Sequence, residues 1–138
     1  MLTRKLIASA AMLVNLVSAN ASAADSGNFT EAQASQGARL YEQHCAGCHG
    51  AKLEGAVGPA LCGPAFIERS VQEGRSVDDL FFIVRTFMPY GKPGSLSKQQ
   101  YVDVLAFVLK ANGYRVGNKA LPLDSAVLSR ILISSANQ

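Results

Sequence analysis

Two cysteines and a histidine stand close together in the stretch HCAGCHG, at residues 44–50. Two residues separate Cys45 from Cys48, and His49 directly follows the second cysteine. Residues of these types at this spacing are compatible with three kinds of chemistry: a zinc site, a redox-active disulfide, or covalent attachment of a haem. Each kind makes a different demand on the rest of the chain.

Zinc and disulfide chemistry find little support outside the motif. A structural zinc site needs four ligands arranged as a tetrahedron. Cys45, Cys48 and His49 lie too close along the chain to occupy three corners comfortably, and only Cys62 and His44 remain as further cysteine or histidine ligands. A thiol–disulfide centre normally accompanies a strand of a βαβ unit, whereas this chain shows no strand pattern. The flanking sequence excludes neither chemistry outright.

The haem interpretation gives each motif residue a role. In Cys-x-x-Cys-His, the c-type haem attachment pattern, both thiols add to the vinyl groups of the haem and hold this loop against one edge of the ring. The adjacent histidine is then held under the iron. The sequence therefore favours haem c attached through Cys45 and Cys48, with His49 as an axial ligand of the iron.

A second axial ligand is predicted at Met88, in the stretch RTFMPYGKPG. Met1 and Met12 belong to an N-terminal leader, which leaves Met88 as the only methionine of the remaining chain. His44 directly precedes the attachment motif, and the tether should keep it from reaching the opposite face. A His/Met pair raises the haem potential and closes the coordination shell, which argues for electron transfer and against substrate chemistry at the iron.

Residues 1–23 have the organisation of a cleavable secretory signal peptide. Arg4 and Lys5 precede an apolar run over residues 6–17, and the small residues Ala21-Ser22-Ala23 follow it. The run is shorter than the roughly 20 residues that span a bilayer, although a retained membrane anchor is an alternative. Cleavage predicts a periplasmic protein without stable membrane insertion, in the compartment where haem c is attached.

The charge of the chain excludes a broad class of partners. Loss of Arg4 and Lys5 with the leader lowers the formal net charge from +3 to +1. A nearly neutral protein has no extended positive field for nucleic acid or anionic lipid, so we expect no nucleic-acid partner. The third cysteine, Cys62, is left as a lone thiol, for which the alternatives are a small buried apolar residue and a redox-active or intermolecular thiol.

The remaining sequence predicts helices joined by long loops. A linker at 24–30 precedes a helix from Glu31 to about residue 43, where Thr30 and Gln33 have the form of a capping box. Residues 47–63 are glycine-rich and predict a long loop. Ser76 caps a second helix that continues to about residue 86.

The final predicted helix has the clearest pattern. Ser97 and Gln100 form a capping box, and Asn112-Gly113 predicts the C-terminal end. An apolar face recurs at helical spacing in Tyr101, Val104, Leu105, Val108 and Leu109. Residues 116–138 form an extension with a short helix that begins near Asp124 or Ser125. The fold class is therefore predicted to be all-α.

Several stretches resemble the class I c-type cytochromes. The likeness rests on CAGCHG, GPAL, MPYGKPGSL and QQYVDVLAFVLKANGY, and it covers about residues 31–114. It implies one cytochrome c domain at 31–115 carrying one covalent haem c. The C-terminal half, MPYGKPGSLSKQQYVDVLAFVLKANGYRVGNKALPLD, is most similar to small cytochromes that serve periplasmic quinoprotein (PQQ-dependent) dehydrogenases.

The resemblance implies roles for further residues. The N- and C-terminal helices of the domain should cross, with Gly37 at the crossing and Tyr101 or Phe107 facing it. The Pro59 carbonyl should accept a hydrogen bond from the His49 ring. Four residues are candidates for the wall of the haem pocket: Leu61, Phe66, Ile83 and Phe87. Arg85 and Tyr90, on either side of Met88, are suited to bond the haem propionates, and the alternative for each is an exposed surface position.

The function implied is electron carriage rather than enzymatic catalysis. The protein would accept electrons from a PQQ-dependent dehydrogenase and pass them to a downstream cytochrome or oxidase of the respiratory chain. One alternative is a fixed haem subunit of a dehydrogenase complex. The other is a haem enzyme or sensor with a labile sixth ligand.

Overall fold

The computed structural model describes residues 27–135, and helices joined by loops make up this part of the chain. The two isolated bridges within it belong to no strand, so the all-α prediction is confirmed there. The predicted signal peptide lies outside the described residues. Within residues 27–135, six helices follow one another: α1 (Glu31–His44), α2 (Ala46–His49), α3 (Pro64–Gln72), α4 (Val77–Phe87), α5 (Lys98–Ala111) and α6 (Ser125–Leu128). None of these helices is long and apolar enough to cross a membrane.

Side-chain caps fix where α4 and α5 begin. The Ser76 hydroxyl accepts a hydrogen bond from the Asp79 N–H at 3.3 Å, and the Asp79 carboxylate accepts one from the Ser76 N–H at 2.7 Å. Ser97 and Gln100 form the same reciprocal pair at α5. Because these bonds satisfy N–H groups that a helix leaves without partners, the predicted starts of both helices are confirmed.

The first helix is capped differently from the prediction. Thr30 accepts from the Gln33 N–H at 3.1 Å, which is half of a capping box. The Gln33 side chain turns instead to a residue 88 positions away: it accepts from the Leu121 N–H at 2.7 Å and donates to the Leu121 carbonyl at 3.0 Å. The buried amide thus satisfies both backbone groups of Leu121 and joins α1 to the C-terminal segment.

Helices α1 and α5 cross at Gly37, where their backbones come into contact. A Cβ atom at Gly37 would lie 1.8 Å from the carbonyl oxygen of Asp103, so only glycine fits. One turn further along, the rings of Tyr41 and Phe107 pack with their centroids 5.3 Å apart. The predicted crossing at Gly37 is therefore present, and Phe107 rather than Tyr101 is the aromatic residue beside it.

The structured region begins before the predicted linker ends. Phe29, inside the predicted linker at 24–30, is completely buried, and its carbonyl accepts a hydrogen bond from the Gly117 N–H at 2.7 Å. The C-terminal segment is likewise packed on the domain. The Val77 N–H donates to the Ile131 carbonyl, and the Ile133 N–H donates to the Arg75 carbonyl, so this segment supports the start of α4.

Helix α3 was not predicted from the sequence. Its signals are Pro64 at the first helical position, where a missing N–H costs nothing, and the adjacent apolar pair Phe66 and Ile67. Both apolar side chains are buried, so α3 contributes one face to the core. The one-turn helix α2, within the predicted loop, carries the second cysteine and the histidine of the motif.

The Ser76 cap predicts a specific dependence of stability on pH. Hydrogen bonds from the Ser76 side chain and N–H lower the pKa of Asp79 below its ordinary value of 3.8. Because the folded-state pKa is the lower one, this contribution is complete above the unfolded-state pKa and disappears as the pH falls through the folded-state pKa. We expect Asp79→Ala to lower the free energy of unfolding by about 1 kcal/mol at pH 7 and by much less near pH 3, in urea titrations at both values. A difference that does not depend on pH would contradict this prediction.

Candidate functional site

A cavity of about 490 Å³ lies inside the helical frame. One side is formed by the end of α1, by α2 and by the glycine-rich loop, and the other by α5 and the loop after α4. Its volume is typical of sites that hold a small molecule or cofactor. Apolar side chains provide most of the lining, and the sulfur and nitrogen donors of the motif lie along one side.

The His49 ring is held in one orientation and one tautomer. Its Nδ1 lies 2.8 Å from the Pro59 carbonyl oxygen, and the residue is buried. A carbonyl can only accept, so Nδ1 carries the proton, and the lone pair of Nε2 is left free to bind a metal. Gly58 lies against the ring, where an added Cβ would come within 2.8 Å of a ring carbon. The role implied for Pro59 is thus found in the geometry.

Backbone hydrogen bonds fix the loop around His49. The Gly58 N–H donates to the Cys48 carbonyl and the Gly55 N–H donates to the His49 carbonyl, both at 2.8 Å. The Tyr41 hydroxyl of α1 donates to the Gly50 carbonyl at 2.7 Å. The chain on both sides of the imidazole is therefore tied to neighbouring elements, which limits the movement of the ring.

Cys45 and Cys48 both line the cavity as free thiols. Burial raises the pKa of the Cys45 thiol to about 11, and the nearby Cys48 adds to the shift. The unmodified Cys45 is therefore a neutral thiol at pH 7. Cys62 lies outside the cavity, and its thiol donates to the Lys52 carbonyl at 3.3 Å.

The arrangement of the described residues does not favour a zinc site or a thiol–disulfide centre. Residues 27–135 contain no group of three or more histidine, cysteine and acidic side chains placed to hold a metal ion. The same residues contain no strand from which a βαβ thiol–disulfide centre could be built. Both alternatives therefore lack the arrangement that they need.

Met88 lies at the C-terminal end of α4 and lines the same cavity as His49. Its N–H donates to the Val84 carbonyl at 3.0 Å, and its carbonyl accepts from the Tyr101 hydroxyl at 2.7 Å. The structure thus brings together Cys45, Cys48, His49 and Met88, four of the residues predicted from the sequence. Of the pocket candidates, Pro59, Leu61, Phe66 and Tyr90 also line the cavity.

Two candidates for the cavity wall, Ile83 and Phe87, do not line the cavity, which corrects the sequence-based assignment. Arg85 does not line it either and is exposed, which is the alternative that the sequence left open for this residue. The face of α4 that reaches the cavity consists of Leu80, Val84 and then Met88, at intervals of four residues. A helix turns by 100° per residue, so Arg85, which directly follows Val84, points away from this row. The Arg85 guanidinium lies over the Phe81 ring at 5.4 Å, and Phe87 is 55% exposed in edge contact with Phe82.

Several residues that line the cavity were not predicted from the sequence. Leu80 and Val84 could have been predicted to line the cavity, because they precede Met88 at intervals of four residues. Four residues of the apolar face of α5, which the sequence identified only as a packing face, form a wall of the cavity: Tyr101, Val104, Leu105 and Val108. Leu96 lines it as well.

The residues present fit a covalently attached haem. Two thiols stand at one edge of an apolar cavity, beside an imidazole whose Nε2 is free, and a thioether lines the same cavity. Thioether links formed by two thiols, a nitrogen donor and a soft sulfur donor are the groups that hold haem in c-type proteins. No charged side chain lines the cavity among the described residues, which suits the apolar faces of such a ring.

Several known proteins are similar in sequence to this chain. The family model described as "Cytochrome C oxidase, cbb3-type, subunit III" matches residues 32–108. Cytochrome c-551 of Bacillus subtilis (strain 168) is 60% identical over 37 residues, which cover 27% of this chain and 33% of that protein. Thiosulfate dehydrogenase of Psychrobacter arcticus is 32% identical over 84 residues, which cover 56% of this chain and 25% of that protein. The chain therefore spans a third or less of the length of these relatives.

A solved structure shares the fold. The sulfane dehydrogenase SoxCD from Paracoccus pantotrophus superimposes with a TM-score of 0.52 at 24% sequence identity. The match covers 75% of this chain and 54% of that chain. At this identity the likeness concerns the arrangement of the helices alone.

Proposed function

Because the chain belongs to the cytochrome c family, whose model covers residues 32–108, we propose that Cys45 and Cys48 hold its haem and that His49 and Met88 are the axial ligands. The family implies covalently bound haem c and electron transfer rather than catalysis. When bound, the haem supplies a one-electron change between ferrous and ferric iron.

The observation that carries the ligand proposal is that His49 and Met88 line the same cavity. The Pro59 carbonyl holds the Nδ1 proton of His49, which leaves Nε2 as a donor, and the same bond makes the ring more electron-donating. Met88 supplies a soft sulfur donor from the loop after α4. With both axial positions taken by the protein, substrate has no access to the iron, and electron transfer is the activity left.

The ligand proposal predicts the result of replacing Met88. We expect the oxidised wild-type protein to show a sulfur-to-iron charge-transfer band that is absent from Met88→Ala. The reduction potential of the variant should fall by on the order of 0.1 V, since axial ligands set haem potentials over a range of about 0.8 V. His44→Ala removes the other candidate donor near the cavity and should keep the band. A high-spin resting state in the wild type would contradict the proposal.

We further propose that the carrier is periplasmic and receives electrons from a dehydrogenase. Residues 1–23 support the location, because their organisation is that of a secretory signal peptide. The similarity to a thiosulfate dehydrogenase supports a dehydrogenase as donor. The C-terminal half of the sequence, which resembles cytochromes of PQQ-dependent dehydrogenases, supports a quinoprotein in that role, with a downstream cytochrome or oxidase as acceptor.

A fixed haem subunit of a dehydrogenase complex is the second candidate, since the chain matches only a quarter of the thiosulfate dehydrogenase. Rapid mixing of the oxidised protein with a purified quinoprotein dehydrogenase, and separately with a thiosulfate dehydrogenase, identifies the donor by the rate of haem reduction. Reduction by a freely diffusing dehydrogenase at rates that increase with its concentration supports a carrier. Co-purification with one dehydrogenase at a fixed ratio supports the subunit.

A further inference from the structure

Tyr101 makes a hydrogen bond that its packing in the core does not by itself explain. The side chain is 2% exposed, it belongs to the first turn of α5, and it lines the cavity. Its hydroxyl donates a hydrogen bond of 2.7 Å to the Met88 carbonyl. A phenylalanine at this position would fill the same space, so the hydroxyl serves a purpose besides packing.

The backbone around Met88 has few other attachments. The Met88 N–H is bonded to the Val84 carbonyl as α4 ends, and the next residue, Pro89, has no N–H to donate. Further along, Lys92 donates to Pro89 and Ser95 donates to Lys92, which are bonds within the loop itself. In the described part of the chain, the bond from Tyr101 is therefore the one that ties residues 88–95 to another helix.

We propose that Tyr101 is a positioning residue for Met88. The bonds from Tyr101 and to Val84 fix the two peptide groups on either side of the Met88 Cα, and so fix the point from which the thioether extends into the cavity. The inference rests on the proposed ligation of the iron by Met88 and adds to it a residue that touches neither the iron nor the sulfur.

The two sides of the cavity differ in how much they depend on such a bond. On the His49 side, the Tyr41 hydroxyl holds the Gly50 carbonyl at the same distance of 2.7 Å. On that side the covalent links through Cys45 and Cys48 also restrain the chain. No covalent link is proposed on the Met88 side, where Tyr90 is 88% exposed and the loop residues 91–95 are exposed. The bond from Tyr101 therefore carries more of the restraint.

The test is displacement of Met88 by imidazole in the oxidised holoprotein, followed through the charge-transfer band. A neutral hydrogen bond contributes enough free energy to change an equilibrium about fivefold. In Tyr101→Phe we therefore expect half-displacement at about fivefold lower imidazole than in the wild type. The reduction potential should also fall, because a loosened sulfur ligand stabilises ferrous iron less.

Tyr114→Phe is the matched control. Tyr114 is similarly buried, and its hydroxyl donates to the Ser134 carbonyl at 3.2 Å and accepts from the Ser134 N–H at 2.9 Å. It does not line the cavity. We expect this variant to lose a similar bond without a change in imidazole affinity or potential. An unchanged Tyr101→Phe overturns the inference, and so does an equal shift in both variants, which would show general loosening. A wild type without the charge-transfer band overturns Met88 ligation itself, and the role of Tyr101 with it.

Discussion

Replacing both Cys45 and Cys48 by serine should leave a polypeptide from which the haem is removed completely by denaturation. The two thioether links are the only covalent connections proposed between haem and chain, and a serine hydroxyl does not form them. Haem staining after denaturing electrophoresis measures the outcome directly. Single variants, with one link left, should retain stain at the position of the protein.

Cys62→Ser is the matched control for this experiment. Its thiol lies outside the cavity and donates to the Lys52 carbonyl, so we expect the variant to keep its covalent haem in full. Covalent haem in the double variant would contradict the assignment of the attachment site. Stoichiometric zinc in place of haem in the wild-type protein would instead support a zinc site, which is one of the three kinds of chemistry compatible with the motif.

Gly37→Ala should lower the free energy of unfolding by about 3–5 kcal/mol, a large part of the 5–15 kcal/mol typical of a domain. The new Cβ would lie 1.8 Å from the carbonyl oxygen of Asp103 and 2.4 Å from its carbonyl carbon. These are backbone atoms within α5 and cannot rotate away, so the two helices must separate. Separation also loosens the contact between Tyr41 and Phe107.

Urea unfolding of the holoprotein measures this effect, and Gly47→Ala is the control. Gly47 is also in a helix, but a Cβ there would meet nothing within 4 Å. Alanine is favoured over glycine in helices by about 1 kcal/mol, so Gly47→Ala should be neutral or slightly more stable. Equal urea midpoints for Gly37→Ala and the wild type would contradict the close crossing of α1 and α5.

Sequence patterns predicted the features that depend only on residues close together in the chain. Ser76 with Asp79 and Ser97 with Gln100 mark their helix starts because each pair is complete within four residues. Gln33 has the same spacing from Thr30, yet its side chain bonds Leu121, a partner that no local pattern indicates. Capping was therefore predictable from the sequence, except where a distant segment competes for the same side chain.

The site shows the same division between local and distant information. The attachment motif and Met88, the one methionine after the predicted leader, supplied the donors that are proposed for the haem, and the family resemblance supplied Pro59. The resemblance assigned Ile83 and Phe87 to the cavity wall, whereas the residues of α4 that line the cavity are Leu80 and Val84. Phe29 was assigned to the linker because its buried partner, Gly117, lies far along the sequence.

The composition of the cavity wall has a consequence for the order of assembly. Val104, Leu105 and Val108 of α5 form one wall, more than 50 residues after the cysteines on the opposite side. Closing so long a loop carries an entropic cost that is recovered only when the helices dock. Until then both thiols stay open to solvent, whereas in the folded protein Cys45 is half-buried. Cys45 is therefore easier to reach before α5 docks, whereas Cys48 is exposed in the folded protein as well. We accordingly expect the proposed link at Cys45 to depend on attachment before α5 closes the cavity.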